Sequence, residues 1–492
     1  PQIVISQPGN PNSSAPPNGV LDANDVTGIG EMIIDQQNGF IGLCTGTLIN
    51  PRTVIFAAHC VNEDPDETGF QDPWGYGAAN GGRPIAFGFR ANNNAAGNSA
   101  FGNWLYGGYQ TDVANYLYNV NQVTYNPAST SLGVGNNFLQ GDIAIATLDT
   151  PAANVPTWAI LLSQLPAPGS IDPAKGTGYH VTITGYGDSG TGNTGDTRGV
   201  DFRRRVTENY IGLLGSLDDV DGFLFGVNDG LPQNLYQLDF DDPRRGALNA
   251  SIYDFNLFRD NALPKEGITA PGDSGGPLIL DNRFSKKLVI GVLSGGSRYF
   301  NNQPSASYGT SSFYQPLYLY WDWIAANNNY HYVGSRAGDA NWADPTHWAT
   351  NIDPNYMTIV GGNLVNGVPS TLGDGVNGTS GKFGEICIEQ GNNSDCYNTT
   401  TGVETYNGTE YQFTPAGGQP GTSPIPDATL DNGLPSASNF VPNDRDPDAA
   451  THTRAAYFDV TLGAAGTTTL DTKVTVDRLT VAGSGARLNI AN

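Results

Sequence analysis

Nowhere in its 492 residues does the sequence hold the roughly 18 consecutive apolar residues that a membrane-crossing helix needs, so direct membrane insertion of this segment is not expected. Positive charge is also short: 23 Lys and Arg stand against 47 Asp and Glu, a net charge of −24. Such a chain is repelled by nucleic acid and by anionic lipid, which argues against both as partners. Histidine is scarce at five residues, so chemistry built on imidazole has few places to sit. Cysteine is scarcer, at four. Cys44 lies close to Cys60 and Cys387 close to Cys396, with no C-x-x-C spacing. Two such pairs read as local disulfides in an oxidising compartment, not as a metal centre. Neither a charged start nor an apolar run stands at Pro1, so the chain is expected to be a processed piece of an exported protein.

Glycine and proline are abundant, at 64 and 32 residues, and hydrophobic residues make up 38 %. That composition builds a core from short strands between many turns, and the length calls for more than one domain. Residues 1–28 are rich in Pro, Asn, Ser and Gly and read as an extended arm. From there, β-like runs such as "TVIFAAH", "RPIAFGF", "DIAIATL" and "HVTITGYG" recur between turn signals, the pattern of an antiparallel barrel or sandwich. Residues 185–265 read as long loops. "PLYLYWDWIAANN" has apolar residues at helical spacing and reads as a helix.

The strongest chemical signal is "APGDSGGPLIL" at 270–280. Glycines around Ser274 permit tight turns and close approach of a substrate, which suits an exposed nucleophile. The amides of Gly272 and Ser274 could then face a developing oxyanion. A serine hydroxyl needs a base. His59, in "TVIFAAHC", ends a β-run beside a cysteine; His180, His331, His347 and His452 read as structural or surface residues. The base needs a carboxylate. Asp142 opens the apolar run "DIAIATL" and is preferred to Asp112, which lacks that strand context. "DDVDG" at 218–222 lacks a full calcium-ligand pattern and reads as a solvated turn. "RRR" at 203–205 reads as an exposed strand edge. No metal or cofactor site is read from the sequence.

"TVIFAAHC", "GDIAIATL", "GDSGGP" and "LSGG" stand in the chain order of the trypsin/chymotrypsin family, which this sequence resembles over roughly 29–333. The resemblance implies an all-β fold: two six-stranded barrels with a C-terminal helix and a cleft between the barrels. It makes His59, Asp142 and Ser274 the triad and Gly272 and Ser274 the oxyanion hole. It implies a Cys44–Cys60 disulfide, and Ser294 as the support of Asp142. For the substrate pocket it indicates Ile268 at the base, with Thr269, Ser294, Gly295, Gly296 and Ser312 around it, and Tyr314 narrowing the far end. With no carboxylate at the base, cleavage after apolar residues is expected, unless Asp218 or Asp221 reaches in. Two departures stand out. Ala270 replaces a cysteine common in the family. No "IVGG"-like start precedes "TGIGEM", so either processing occurs after Gly28 or Asp273 finds a partner other than a freed N-terminus, and the second is preferred.

After residue 333 the composition shifts. Residues 334–455 are rich in Gly, Asn and Pro and read as a linking β subdomain, with Trp342 and Trp348 forming a small aromatic core. Residues 456–492 alternate apolar and polar and resemble the first rungs of a parallel β-solenoid. This part resembles the passengers of bacterial autotransporters. That likeness implies an N-terminal protease domain on a β-helical stalk, continuing to an outer-membrane barrel, and a secreted or cell-surface location. The expected activity is serine endopeptidase on protein or peptide substrates. An adhesin with a protease fold, or a protease acting mainly on its own passenger, are the alternatives.

Overall fold

The computed structural model describes residues 3–6, 18–62, 70–71, 74–95, 98–131, 140–413 and 423–491. Part of the expected arm over 1–28 lies outside them. The described chain is mostly β with few helices. Six antiparallel strands close a barrel: β1 (Val26–Asp35), β2 (Ile41–Asn50), β3 (Thr53–Phe56), β4 (Ile85–Arg90), β5 (Leu117–Tyr125) and β6 (Ala144–Leu148). Their order is β6-β3-β2-β1-β4-β5, and β5 pairs back onto β6. The two-residue period of the strands sets the two faces. Met32 and Ile34 point inward with Leu48, Val54, Phe56 and Phe87, while Ile33 points outward onto Ala100, Phe101 and Trp104. Gly46 is required here, because a Cβ would lie 2.7 Å from both Phe87 and Val54.

A second sheet holds β7 (His180–Gly185), β8 (Arg205–Tyr210), β9 (Leu235–Asp239), β10 (Pro277–Leu280), β11 (Leu288–Ser297) and β12 (Ser311–Pro316), in the order β8-β7-β10-β11-β12-β9. β9 continues the sheet by pairing with Leu213–Gly215, and β8 approaches β9: Asn209 Nδ2 donates to the Asp239 carbonyl at 2.8 Å, and the Gly212 amide to the Gln237 carbonyl at 2.8 Å. A helix, α1 (Trp321–Asn327), follows and packs Trp321 and Ile324 between the barrel and this sheet.

The expected loops of 185–265 are in fact partly regular. Residues Leu217–Phe225 form a helix that takes in the whole of "DDVDG", because Ser216 and Asp219 make a reciprocal capping box at its start. The first-turn aspartates also complement the helix dipole. The arginine run is not an exposed edge either: Arg204 and Arg205 are both 0 % exposed. Residues of the arm cover that edge, with the Asp22 amide donating to the Arg204 carbonyl at 2.9 Å. Arg204 is enclosed because Asp22, Tyr186 and several backbone carbonyls accept from its guanidinium. Further up the arm, Val4–Ile5 inserts between Gly190–Thr191 and Gly267–Ile268, and is buried.

The region after 333 is woven into the second sheet. Phe383–Gln390 pairs with Leu213–Gly215, and Tyr356–Val360 pairs with Ile160–Leu161. Trp342 and Trp348 are buried, their rings 4.7 Å apart. Six strands then run in two parallel stacks. One holds β13 (Tyr330–Ser335), β15 (Tyr457–Leu462) and β17 (Arg478–Val481); the other holds β14 (Ala340–Asn341), β16 (Gly466–Leu470) and β18 (Ala486–Ile490). Val333, Phe458, Val460 and Leu462 pack on the tryptophans between the stacks. Of the histidines expected at the surface, His347 is buried and its Nε2 meets Thr468 Oγ1 at 2.9 Å, whereas His452 is exposed. Both cysteine pairs form disulfides, Cys44–Cys60 and Cys387–Cys396.

Candidate active site

β3 runs into Ala57 and Ala58, both fully buried, and then into a short helical turn starting at His59. The Cys44–Cys60 disulfide ties that turn to β2. β6 is preceded by Asp142, which is fully buried. Its Oδ1 accepts from the His59 amide at 2.8 Å, and its Oδ2 lies 2.8 Å from His59 Nδ1. A carboxylate can only accept, so Nδ1 carries the proton and Nε2 presents its lone pair. Nε2 lies 2.8 Å from Ser274 Oγ. Asp112, the rival carboxylate, is elsewhere: it caps the turn at Val113–Asn115.

Ser274 sits on a turn shaped by glycine. Gly275 has φ +83°, and a Cβ there would fall 2.3 Å from the Thr45 carbonyl oxygen. The turn is pinned to the barrel by the Thr45 amide, which donates to the Ser274 carbonyl at 2.8 Å. Asp273 is fully buried, and burial pushes its pKa up to about 8. Its two oxygens accept from the Gly187 amide at 2.8 Å and the Ala270 amide at 2.9 Å. These amides are the alternative partner the sequence leaves open. Among the described residues, neither the Gly272 nor the Ser274 amide is spent on another acceptor.

Behind Asp142 lies a polar chain that sequence reasoning missed beyond its first member. Ser294 Oγ donates to Asp142 Oδ2. Gln315 Nε2 donates to Ser294 Oγ at 3.1 Å, and Gln233 Nε2 to Gln315 Oε1 at 2.6 Å. Gln233 Oε1 accepts from Tyr320 Oη at 2.7 Å and from the Gly141 amide at 3.0 Å. The chain therefore fixes both the side chain and the backbone of the Asp142 segment. No short motif carries it; the glutamines come from β12 and the residues before β9.

The cleft beside Ser274 has a volume of ≈ 540 Å³. Thr269, Ser294, Gly295 and Gly296 line it, together with Ala270, Ser297, Arg298, Ala306 and Ser311. Ile268 does not: it is fully buried in the core below and pairs with Val4. Ser312 is enclosed too and meets the cleft only through Thr269, Oγ to Oγ1 at 2.5 Å. Tyr314 is a core residue rather than the far wall. Asp218 accepts from the Asp229 and Leu231 amides, and neither it nor Asp221 lines the cleft.

The Trypsin family profile matches residues 244–324, a stretch that carries Ser274 and Ser294. The match supports a trypsin-like serine protease domain in this chain, and with it hydrolase chemistry on protein substrates. It begins at the middle of the chain, so the family likeness lies there and not at the N-terminal end. No curated protein matches the chain.

Proposed function

We propose that the chain is a serine endopeptidase working through an acyl-enzyme, with a fold of two six-stranded barrels and a C-terminal helix. The observation that carries this reading is His59 bridging Asp142 and Ser274, at 2.8 Å on each side. Ser274 Oγ attacks the scissile carbonyl while His59 Nε2 takes its proton. Asp142 holds the imidazole in the required tautomer and stabilises the imidazolium. The Gly272 and Ser274 amides donate to the oxyanion of the tetrahedral intermediate. His59 then gives its proton to the leaving amine, and water hydrolyses the acyl-enzyme by the same steps.

Substrate residues fit the cleft by what its walls lack. Serine, threonine, alanine and glycine line it, and the charged group at its edge is Arg298. A lysine or arginine entering it would lose hydration without gaining a carboxylate, which costs several kcal/mol. Cleavage after uncharged, mainly apolar residues follows. Ser294 to Gly296, on β11, offer an edge on which a peptide pairs as an added strand. The two disulfides fit a secreted or surface location. The parallel stacks fit the first rungs of a β-solenoid, as in an autotransporter passenger. A peptide-library cleavage profile tests the pocket: uncharged residues should dominate before the cut, and a dominant Arg or Lys there would refute this assignment.

A further inference from the structure

On the side of the second sheet where β9 ends, three carboxylates converge. Asp239 closes the strand, Asp241 follows it, and Asp260 returns from the loop beyond. Each offers one oxygen to a group whose members all lie within 4.8 Å of one another. All three residues are buried, at 2 % exposure or less. Asp239 Oδ2 accepts from the Phe258 amide at 3.1 Å, and Asp241 Oδ1 accepts from Arg245. The Oδ2 atoms of Asp241 and Asp260 are buried and accept nothing. A buried carboxylate oxygen without a donor is costly, and two side by side are more so.

The cation within reach does not resolve this. Arg245 is divided among the Asp254 carboxylate, at 3.0 and 3.1 Å, the Asp260 carbonyl, at 2.8 Å, and Asp241. Glu266 adds a further buried carboxylate, its Oε1 accepting from the Asp241 amide at 2.7 Å. One guanidinium thus serves Asp241, Asp254 and the Asp260 carbonyl, while the Asp239 and Glu266 carboxylates are met by backbone amides. The donors left over are all oxygen, with no imidazole or thiolate, which selects a hard cation. All three carboxylates are buried, and such an all-protein oxygen site suits calcium better than magnesium, which is smaller, strictly octahedral and keeps several of its waters.

We propose that Asp239, Asp241 and Asp260 bind a single divalent cation, calcium in preference to magnesium. The site lies outside the cleft but is tied to it. Glu266, bonded to the Asp241 amide, leads directly into Gly267–Ile268 and then into Thr269 and Ala270 of the cleft wall. Cation binding therefore holds the base of that wall in place. This differs from the sequence expectation of no metal. The other group with ligand-type spacing, Glu385 with Cys387 and Cys396, has its sulfurs joined in a disulfide.

The test is calorimetric titration of the EDTA-treated, dialysed full chain with calcium chloride alone, paired with thermal unfolding with and without the metal. One calcium per chain is expected, with a dissociation constant of about 10⁻⁵ to 10⁻³ M. The loaded protein should melt at least ~3 °C higher than the stripped one. Asp260→Asn, which keeps the shape and removes a charge, should weaken calcium binding by at least ~10-fold. If that variant does not fold, the titration of the unaltered chain still decides. No binding and no melting shift in millimolar calcium would overturn the proposal. So would calcium uptake unchanged in both Asp241→Asn and Asp260→Asn. A third contrary outcome is Asp260→Asn melting higher than the parent in EDTA, with calcium affecting neither; shared protons, not a cation, would then hold the cluster.

Discussion

In the cleft, Asp142 is fully enclosed and accepts from the ring and the amide of His59 and from Ser294. At the seam between the barrel and the parallel strands, Arg52 is likewise enclosed and meets Asp477 through two hydrogen bonds, at 2.6 and 2.7 Å. Arg52 also donates to the Leu148 carbonyl at 3.0 Å and lies 3.4 Å above the Tyr457 ring. Both regions bury charge, and both satisfy it. They differ in what the pairing leaves over. Around Asp142 one lone pair, on His59 Nε2, remains directed at a hydroxyl. Around Arg52 nothing reactive is left, so that pairing serves attachment. Buried charge is thus not itself a sign of chemistry; a base held next to it and directed at a hydroxyl is.

The sharpest way to break this comparison is Asp142→Asn. It should keep the fold and lower kcat/KM on the order of 10⁴-fold, because the amide can donate to Nδ1 and favour the wrong tautomer. Steady-state kinetics beside a melting curve would show it; a loss matched by unfolding would make Asp142 a structural residue instead. Arg52→Ala should do the reverse. Removing one member of a buried pair costs about 3–5 kcal/mol, so denaturant unfolding should shift strongly while kcat holds at temperatures where the variant is folded. A large drop in kcat there would mean that the seam is coupled to the cleft.

A third effect concerns pH. Burial, with Arg454 and Arg445 adding to it, pulls the pKa of His331 on β13 down to about 3. The folded value lies below the unfolded value near 6.5. This contribution to stability is therefore fully present above pH ~6.5 and is lost as pH falls toward ~3. The melting temperature should decline over that window. His331→Gln should flatten the decline, and an unchanged slope would assign it to other groups.

Much of this was legible in the sequence, and for local reasons. Two-residue alternation marks the barrel strands, and the small residues beside His59 and Ser274 are demanded by contacts as short as Gly275 to Thr45. What was not legible depends on distant partners. Gln315 and Gln233 acquire meaning only once β12 and the residues before β9 meet behind Asp142. Ile268 was misread because a fixed offset from Ser274 ignores Val4–Ile5, whose pairing turns the Ile268 side chain into the core and leaves Thr269 to face the cleft. "RRR" was misread because charge density suggests exposure, while the carbonyls that enclose Arg204 leave no trace in composition. Arg52 and Asp477 lie 425 residues apart, beyond any local pattern.

The central claim is that Ser274 is a nucleophile activated by His59, and labelling with a fluorophosphonate probes it most directly. The intact chain should take up one equivalent, and Ser274→Ala none, with both proteins giving the same circular dichroism spectrum. Labelling that persists in Ser274→Ala, or a folded intact chain that takes up no label, would contradict the account.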